Sequence, residues 1–392
     1  MKICVVSRGD IFPPNHGAAV KLYYTMTSLD SIGHDVYFVT EENDKYYHVE
    51  DGEFVEKEYP KLFHKAFHDM DLYKKIVRWL GVPEEDWILY HPMVNLNLWL
   101  RTLYVAIRED IELLQPEFPA FAFPSLFTKL LTGKKVSLVE HNVECFRVQE
   151  TAEDLSDRGK KVIHFVEDFA CRLSNYVLPV SQEDADRLEK LNLDYTEIVP
   201  IGVDIERFEK GDGQKIRDKY NIDDDTTLLI YHGVLNYSPN IEAAEILEED
   251  ILPELRKRGK DFKLLLVGGY PPDVDDEDII TTGFVGPLED YIDAADMAVV
   301  PLRSGGGLTM KVLEYFSVGV PVVATEKAME GIDAEAEKHF IKSEVGSFIE
   351  NILKLDEDIE RQEELSEKAR SFVEKFGWEN VAKMYEKVYK ES

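Results

Sequence analysis

The chain has 392 residues, which is long enough for two domains that each bury a core of their own. It carries 77 acidic and 45 basic side chains, and the resulting formal charge of −32 disfavours nonspecific nucleic-acid binding, which needs a basic surface. Apolar residues make up 44% of the sequence, as in a soluble globular protein. Three cysteines without a Cys-x-x-Cys pair indicate neither a disulfide framework nor a zinc site.

No targeting or membrane-spanning segment is predicted. The apolar run near the amino terminus is too short for a signal peptide, and no charge-free stretch reaches spanning length. We therefore expect a cytoplasmic protein, and peripheral contact with the cytoplasmic membrane face stays open. Residues 72–80 predict a basic amphipathic helix, which is typical either of a membrane-surface element or of a surface helix with its apolar side in the core. The apolar residues of that side are Leu72, Ile76, Trp79 and Leu80.

Two series of alternating strands and helices are predicted along the chain. The first opens with a strand at 2–7, a helix at 18–32 and a strand at 36–40, and it includes a buried strand at 135–140. The second series begins with a strand at 227–232. Alternation of this kind predicts an α/β protein with two Rossmann-like doubly wound domains facing a cleft. Acidic, glycine-containing segments at 209–213 and 223–225 suggest the linker. The predicted domains are 1–200, 201–372 and a terminal helical segment, 373–392.

A strand, a glycine run and a helix follow one another at residues 297–324. The strand at 297–302 leads into Gly305, Gly306 and Gly307, and a helix is predicted from Leu308 and Thr309 onward to 318. Gly319 with Pro321 two residues later is a strong helix stop. Successive glycines before a helix can point several N–H groups at one place, and the positive end of the helix dipole adds to them. This stretch therefore predicts an anion site.

Only two charged residues lie on the predicted helix. Lys311 and Glu314 are three residues apart and so share one face, while the remaining positions are mostly apolar. Charges on a buried helix must be paired or face a ligand. A local salt bridge on an exposed strip is the alternative. The combination of glycines, lysine and glutamate favours a ligand with a phosphate near Lys311 and a hydroxylated ring near Glu314.

The stretch from the three glycines to Gly319-Val-Pro-Val-Val resembles the donor-site helix of family-four glycosyltransferases of the GT-B fold. The resemblance implies that Glu314 holds the nucleotide ribose and that amides of the glycine loop hold the diphosphate and sugar. The family often has a second glutamate where this chain has Gly306. Many members also use Arg and Lys after the strand ending near Gly233, where this chain has neutral residues. Lys311 and Arg303 would then supply the positive charge.

Two segments of the first domain resemble the same family. The loop containing Gly17 is similar to its amino-terminal signature, in which this glycine lets the backbone approach the donor phosphates and the acceptor. A tight turn is an equally good explanation of the glycine alone. His141 follows the strand at 135–140, and the resemblance implies that it contacts the transferred sugar. A lone histidine is more often structural, but the carboxyl end of a parallel strand is where such sheets bind ligands.

The resemblance thus implies a nucleotide-sugar-dependent glycosyltransferase of the hexosyltransferase type that retains anomeric configuration. The donor would carry UDP or GDP, the acceptor would be a glycan, a lipid-linked molecule or a small molecule, and no other cofactor and no metal is expected. An acidic run at 273–278 could pass for a metal site, but a solvated loop has the same pattern. The alternatives are a non-catalytic sugar-nucleotide-binding subunit and a GT-B-fold epimerase. Expected catalytic residues are His141, Lys311 and Arg303, and expected donor-binding residues are Gly17, Gly233, Gly305, Gly306, Gly307, Leu308, Thr309 and Glu314.

Overall fold

The computed structural model describes residues 1–9, 11, 12, 14, 17–41, 44–64, 70–151, 155–305 and 308–391. These residues form two compact units. Unit 1 consists of residues 1–202 together with 378–392, and unit 2 of residues 203–377. Each unit is built around one sheet with helices on both faces.

Unit 1 contains a seven-stranded sheet. Its strands are β1 Lys2–Val6, β2 Asp35–Val39, β3 Lys45–Glu50, β4 Glu53–Glu58, β5 Leu113–Pro116, β6 Lys135–Glu140 and β7 Tyr176–Pro179. Its first eight helices are α1 Gly17–Ser31, α2 Met70–Trp79, α3 Trp87–Tyr90, α4 Leu96–Arg108, α5 Ala122–Thr132, α6 Glu144–Thr151, α7 Asp157–Leu173 and α8 Gln182–Lys190. The strand order is β4-β3-β2-β1-β5-β6-β7, with parallel pairing from β2 to β7 and an antiparallel hairpin, β3–β4, at one edge.

Both faces of this sheet are buried, as parallel strands require. Ile3 and Val5 of β1 face one apolar cluster, whereas Cys4 and Val6 face the other. All four side chains are fully buried. The continuous apolar sequence of the strand therefore reflects burial on two sides.

Unit 2 contains six strands in a single parallel sheet. These are β8 Thr227–His232, β9 Phe262–Val267, β10 Ile279–Thr281, β11 Met297–Val300, β12 Val322–Ala324 and β13 Ile341–Lys342. Its helices are α9 Ile205–Phe208, α10 Gly213–Tyr220, α11 Ser238–Glu245, α12 Leu252–Lys257, α13 Leu288–Asp293, α14 Met310–Val318, α15 Phe348–Asp356 and α16 Ile359–Val373. A π-helical turn, Ile246–Ile251, joins α11 to α12. The strand order β10-β9-β8-β11-β12-β13 is that of a doubly wound Rossmann sheet, so the predicted fold class is confirmed.

The last helix, α17, spans Trp378–Lys390 and belongs to unit 1. It packs along α1, and Trp378 stacks on Tyr24 with a ring separation of 5.6 Å. The Tyr389 hydroxyl donates a hydrogen bond of 2.6 Å to Gln115 in β5. The carboxyl-terminal segment is therefore part of the core of unit 1.

Two sequence predictions need correction. The acidic segments proposed as a linker lie inside unit 2, where Gly213 N donates to Asp293 and Asp212 N donates to Asp290 of α13. Helix α2 does not bury the apolar side that one of its two predicted alternatives placed in the core. Tyr73 and Val77 are buried, whereas Trp79 is 68% exposed. The helix therefore turns a neighbouring stripe inward, because its aromatic and branched residues at 73 and 77 fill the core.

Gly319 ends α14 in a left-handed conformation with φ of 83°. We expect Gly319→Ala to lower the free energy of unfolding by about 2 kcal/mol, because a left-handed alanine is strained and its Cβ, 2.1 Å from Arg370 Nε, would displace the guanidinium from its hydrogen bond to Val318 O. Urea denaturation measures the change. Gly259→Ala has a similar φ of 81° without a clash, and Gly286→Ala has neither feature, so their losses should be smaller in that order. Equal losses in the three variants would contradict the packing argument.

Candidate functional site

The candidate site of unit 2 lies at the carboxyl ends of the neighbouring strands β8 and β11. Strand order reverses between these two neighbours, which makes their carboxyl ends a topological switch point, the position where open α/β sheets bind ligands. His232 ends β8, and the loop after β11 leads to Gly305 and then α14. The predicted donor residues Gly233, Lys311 and Glu314 all belong to these two connections.

Lys311 lies half-buried in the first turn of α14, and its partners are neutral. Its Nζ donates a hydrogen bond of 2.9 Å to Asn240 Oδ1 and lies 3.9 Å from the centre of the Tyr231 ring. The Tyr231 hydroxyl donates to the same Asn240 oxygen at 2.6 Å. Burial lowers the pKa of Lys311 to about 7, although Glu314 raises it. The amine therefore has no close carboxylate to neutralise it among the described residues, and an anion would restore its charge.

Gly233 is required by this packing. A Cβ at this position would lie 2.9 Å from Asn240 Nδ2 and 3.1 Å from Lys311 Nζ. The connection after β9 packs directly against Gly233, since a Cβ on Gly268 would lie 1.8 Å from Gly233 O. Gly233 thus makes room for the lysine and its asparagine partner, a role that the sequence did not predict.

Glu314 lies one turn beyond Lys311 and is held by His232. Its Oε2 is 2.6 Å from His232 Nε2, and its side chain remains 19% exposed. His232 Nδ1 is 2.8 Å from the Tyr315 hydroxyl, which also accepts the His232 backbone N–H at 3.0 Å. A carboxylate fixed at the edge of the switch point can accept hydrogen bonds from ligand hydroxyls through its second oxygen.

The glycine loop is described only in part. Gly305 has φ of 118°, a conformation that glycine adopts freely, and Gly306 and Gly307 lie outside the described residues. Leu308 and Thr309 are half-buried, and Thr309 is the N-cap of α14 without a capping hydrogen bond from its side chain. The first N–H groups of a helix lack partners within it, so this end of α14 offers donors to an anion.

Arg303 differs from Lys311 in its surroundings. Its guanidinium lies 3.5 Å from Glu242, and its side chain is 51% exposed. Exposed ion pairs contribute little stability, so this pair would open readily for a ligand. Of the two predicted cations, only Lys311 lies at the centre of the switch point.

His141, in unit 1, belongs to a buried polar cluster at the carboxyl ends of β5 and β6. Its Nε2 lies 2.6 Å from Glu117 Oε2, and the same oxygen accepts a hydrogen bond from Lys21 Nζ. Gln115 donates to the other Glu117 oxygen at 2.7 Å and links the cluster to Tyr389 of α17. Lys21 and Glu117 are almost completely buried, and His141 is 6% exposed.

The protonation states of Glu117 and His141 follow from their burial and from the contacts within the cluster. Burial tends to raise the pKa of Glu117, but Lys21 and the hydrogen bonds lower it to about 2. Burial and the Lys21 cation lower the pKa of His141 to about 4 despite its hydrogen bond to Glu117. At neutral pH the histidine is therefore uncharged, and it donates its Nε2 proton to Glu117. Lys21 cannot act as a free cation here because Glu117 neutralises it.

Phe118 supports His141 from one side. Its ring stacks on the imidazole with centres 4.1 Å apart, and its backbone has φ of 78°. Bulky residues rarely adopt a positive φ, and such strain is concentrated at functional sites. Gly17 has no comparable constraint, because an added Cβ would meet no atom of the described residues within 4 Å.

Within the described part of the chain, one group has the composition of a metal site. The ligand atoms of Glu140, Glu167 and Cys171 lie within 4.8 Å of one another in the buried interior. Burial raises the pKa of both carboxyls well above the usual value, so they are stable as neutral acids without a cation. In the acidic run at 273–278, Asp276 and Asp278 bind the guanidinium of Arg256 at 2.8 and 3.0 Å.

Sequence reasoning missed His232, Glu117 and Lys21. His232 shares its signal with His141, since both come at or directly after the carboxyl end of a parallel strand. Glu117 and Lys21 have no comparable signal, because their contacts join residues 96 positions apart in the chain. The structure brings Lys311, Glu314 and Gly233 together, while His141 and Gly17 belong to unit 1.

We expect Lys21→Met to raise the pKa of His141 from about 4, because the lysine cation lowers this pKa, whereas the hydrogen bond and the charge of Glu117 raise it. A histidine NMR titration measures the value, with His141→Gln identifying the resonance. His91 is buried without a neighbouring cation among the causes of its shift and serves as the internal control. An unchanged His141 pKa would show that the Lys21 cation does not keep the ring neutral.

No helix among the described residues is both long and apolar enough to cross a membrane. The exposed Leu72 and Trp79 of α2 are the part of the chain that the sequence suggested for membrane contact. Trp79 is covered on one face by Arg158, whose guanidinium lies 3.9 Å from the centre of a ring.

Comparison with known proteins agrees with this arrangement. Residues 226–358 match the family model described as glycosyl transferases group 1. A lipopolysaccharide 1,2-N-acetylglucosaminetransferase of Salmonella typhimurium is 25% identical over 67% of this chain and 74% of its own length. The sucrose-phosphate synthase of Thermosynechococcus elongatus has a similar structure, with a TM-score of 0.72 and 16% identity over 100% of this chain and 98% of its own. HepE of Anabaena in complex with UDP covers 100% of both chains with a TM-score of 0.68 and 12% identity.

The matched segment contains the whole switch-point site, from β8 to α14. The two structural likenesses show the fold, and the family model and the curated relative connect that fold with glycosyl transfer. The chain is a glycosyltransferase of the GT-B fold, and the match to the group 1 glycosyltransferase model lies in its second unit.

Proposed function

We propose that this enzyme is a family-four glycosyltransferase that transfers a sugar from a nucleoside diphosphate sugar, with retention of anomeric configuration. The observation that carries the proposal is Lys311, a half-buried cation with neutral partners at the switch point of unit 2. Glu314 lies one turn away, and in the described part of the chain its Oε1 has no hydrogen-bond partner that would compete with ribose hydroxyls. A cation and a carboxylate at this spacing suit a nucleoside diphosphate.

The chemical task is to stabilise the diphosphate as it leaves the sugar. A cation about 4 Å from a phosphate oxygen gives on the order of 4 kcal/mol of gross attraction at an intermediate dielectric, before desolvation is subtracted. Preorganised donors act most strongly where charge develops in the transition state. Lys311 and the amino end of α14 would serve as these donors, and Arg303 would assist after leaving Glu242. On this account no metal is required.

In the proposed reaction, the acceptor hydroxyl oxygen bonds to the anomeric carbon while the bond from that carbon to the diphosphate breaks. The hydroxyl proton passes to the departing diphosphate, so the products are a glycoside and a nucleoside diphosphate. His141, neutral at physiological pH, would orient the sugar and would not supply a proton. The residues described here include no side chain that we assign as a covalent nucleophile.

The names of the relatives favour a particular donor and acceptor class. HepE was solved with UDP, and the Salmonella typhimurium relative is named for N-acetylglucosamine transfer in lipopolysaccharide. We therefore propose a UDP-sugar donor, with a GDP-sugar as the second candidate, and a glycan or lipid-linked acceptor. Peripheral contact with the cytoplasmic membrane face, through exposed Leu72 and Trp79, would suit a lipid-linked acceptor.

A non-catalytic sugar-nucleotide-binding subunit is the alternative class, and the matches to glycosyltransferases do not favour it. An epimerase would use the same donor site but would leave the nucleotide attached to the sugar. Formation of free nucleoside diphosphate therefore separates the proposed function from both alternatives.

The decisive experiment incubates the purified protein with UDP-, GDP- and ADP-sugars and measures nucleoside diphosphate release, with and without EDTA. We expect binding of one nucleotide class in a thermal-shift assay and slow hydrolysis of its sugar that EDTA does not abolish. A ligand at 100 times its dissociation constant stabilises a protein by about 2.7 kcal/mol, which such an assay detects. No binding of any nucleotide class would refute the proposal. Binding without release, in the presence of glycan acceptors, would favour the non-catalytic alternative.

We expect the affinity for UDP-glucose, as the first donor tested, to fall by about tenfold from pH 7 to pH 9. Lys311 has a pKa of about 7, so it is protonated below this pH and loses its charge above it, while the donor diphosphate keeps a constant charge. Isothermal titration calorimetry measures the profile. Lys311→Met should bind more weakly and show no such fall, whereas Arg303→Met should keep it. An identical pH profile in Lys311→Met would assign the cation elsewhere.

A further inference from the structure

His232 makes the closest polar contact that the structure gives to Glu314. The imidazole is 7% exposed, lies at the last position of β8 and reaches across to α14. The distance from Nε2 to Glu314 Oε2 is 2.6 Å, which is short for a nitrogen donor and typical of a charge-assisted hydrogen bond. Two residues that are 82 positions apart in the chain are thus joined at the switch point.

Tyr315, which contacts the other ring nitrogen of His232, determines which nitrogen carries the proton. Tyr315 is fully buried, and its hydroxyl oxygen accepts the backbone N–H of His232 at 3.0 Å. Its own proton is then free to be donated to Nδ1, 2.8 Å away. Burial raises the pKa of Tyr315 well above its usual value, so the hydroxyl keeps that proton. With Nδ1 accepting, the proton of a neutral imidazole lies on Nε2 and points at Glu314.

Glu314 needs such a partner. It lies on a helix whose other residues are mostly buried and apolar, and its own side chain is only 19% exposed. Without a fixed donor the carboxylate would be free to rotate away from a ligand. It could then move toward Lys311, whose pKa it already raises through its negative charge. A hydrogen bond on Oε2 holds one oxygen in place and leaves the other for a ligand. Preorganisation of this kind lowers the free-energy cost of ordering a site on binding.

We infer that His232 is a positioning residue of the donor site, which presents Glu314 to the ribose hydroxyls of the nucleotide and is itself oriented by Tyr315. This inference rests on the proposed function, since it assigns ribose binding to Glu314. It adds a hydrogen-bonded series, Tyr315 to His232 to Glu314, that runs from the core of unit 2 to the surface of the switch point. The competing explanation is that His232 only stabilises the fold.

The test is a double-mutant cycle on nucleotide affinity. The variants are His232→Leu, Glu314→Gln and the double variant, with His232→Gln as the conservative replacement because its amide can still donate to Glu314. The probe is whichever of UDP, GDP and ADP binds the unaltered protein most tightly, and calorimetry compares it with its 2′,3′-dideoxy analogue. Thermal midpoints of the four variants report any loss of fold stability separately.

We expect His232→Leu to weaken binding of the ribonucleotide by about tenfold, the usual effect of losing a hydrogen bond to a charged group, and to affect the dideoxy analogue much less. In the Glu314→Gln background the same substitution should have little further effect, and His232→Gln should recover most of the affinity. A merely structural role would instead lower the affinities of both nucleotides equally and would persist in the Glu314→Gln background.

The outcomes separate the inference from the function on which it rests. If Glu314→Gln leaves the ribonucleotide affinity unchanged, the assignment of Glu314 is wrong and the proposed donor site fails with it. If Glu314→Gln weakens ribonucleotide binding but His232→Leu does not, only the positioning role of His232 is overturned. Equal losses for the two nucleotides in His232→Leu would also overturn it.

Discussion

The hydrogen bond between Lys311 and Asn240 determines what the switch point of unit 2 can bind. Asn240 Oδ1 accepts from both Lys311 Nζ and the Tyr231 hydroxyl, and Asn240 Nδ2 donates to the carbonyl oxygen of Val234. The amide is therefore fixed on both sides and orients the lysine without neutralising it. A carboxylate in the same place would neutralise the amine, and little attraction for a phosphate would remain. In the sequence, the neutral residues after Gly233 look like a loss of positive charge. In the structure, one of them, Asn240, holds Lys311 without neutralising it, so the amine can bind a phosphate.

Lys21 in unit 1 and Lys311 in unit 2 differ in whether a carboxylate of the protein neutralises the lysine. Lys21 is in direct contact with Glu117 in a cluster that contains both charges, and its surroundings are closed to an anion. Among the described residues, the direct contacts of Lys311 are an amide oxygen and an aromatic ring, and burial lowers its pKa to about 7 although Glu314 raises it. Removing one member of a buried ion pair leaves the other charge unpaired, so Lys21 stabilises the structure around His141. The depressed pKa of Lys311 is the result expected for a cation whose counter-ion comes with the ligand.

The sequence predicted the parts of the site that lie close together in the chain. Lys311 and Glu314 share a helix face, and their charges stand out among apolar neighbours, so a local pattern was enough to find them. The strands at 135–140 and 227–232 were predicted with their observed limits, because continuous apolar runs identify buried parallel strands. His232, Glu117 and Asn240 owe their roles to partners on other strands and helices, and no periodicity reports such contacts. Helix α2 shows the same limit, because its pattern left two alternatives open and only the tertiary packing determines that Tyr73 and Val77 are buried while Trp79 is exposed.

The packing shows a structural role for the glycines after β8 and β9. Gly233, in the first turn after β8, was predicted as a donor-binding residue. In the structure, the space of its missing side chain is taken by Asn240 and Lys311, and the carbonyl of Gly233 fills the space beside Gly268. These close contacts hold the two strand connections against each other and fix the asparagine from which the lysine takes its orientation. The glycine thus acts on ligand binding through the lysine that it admits, and a side chain at this position would displace that cation.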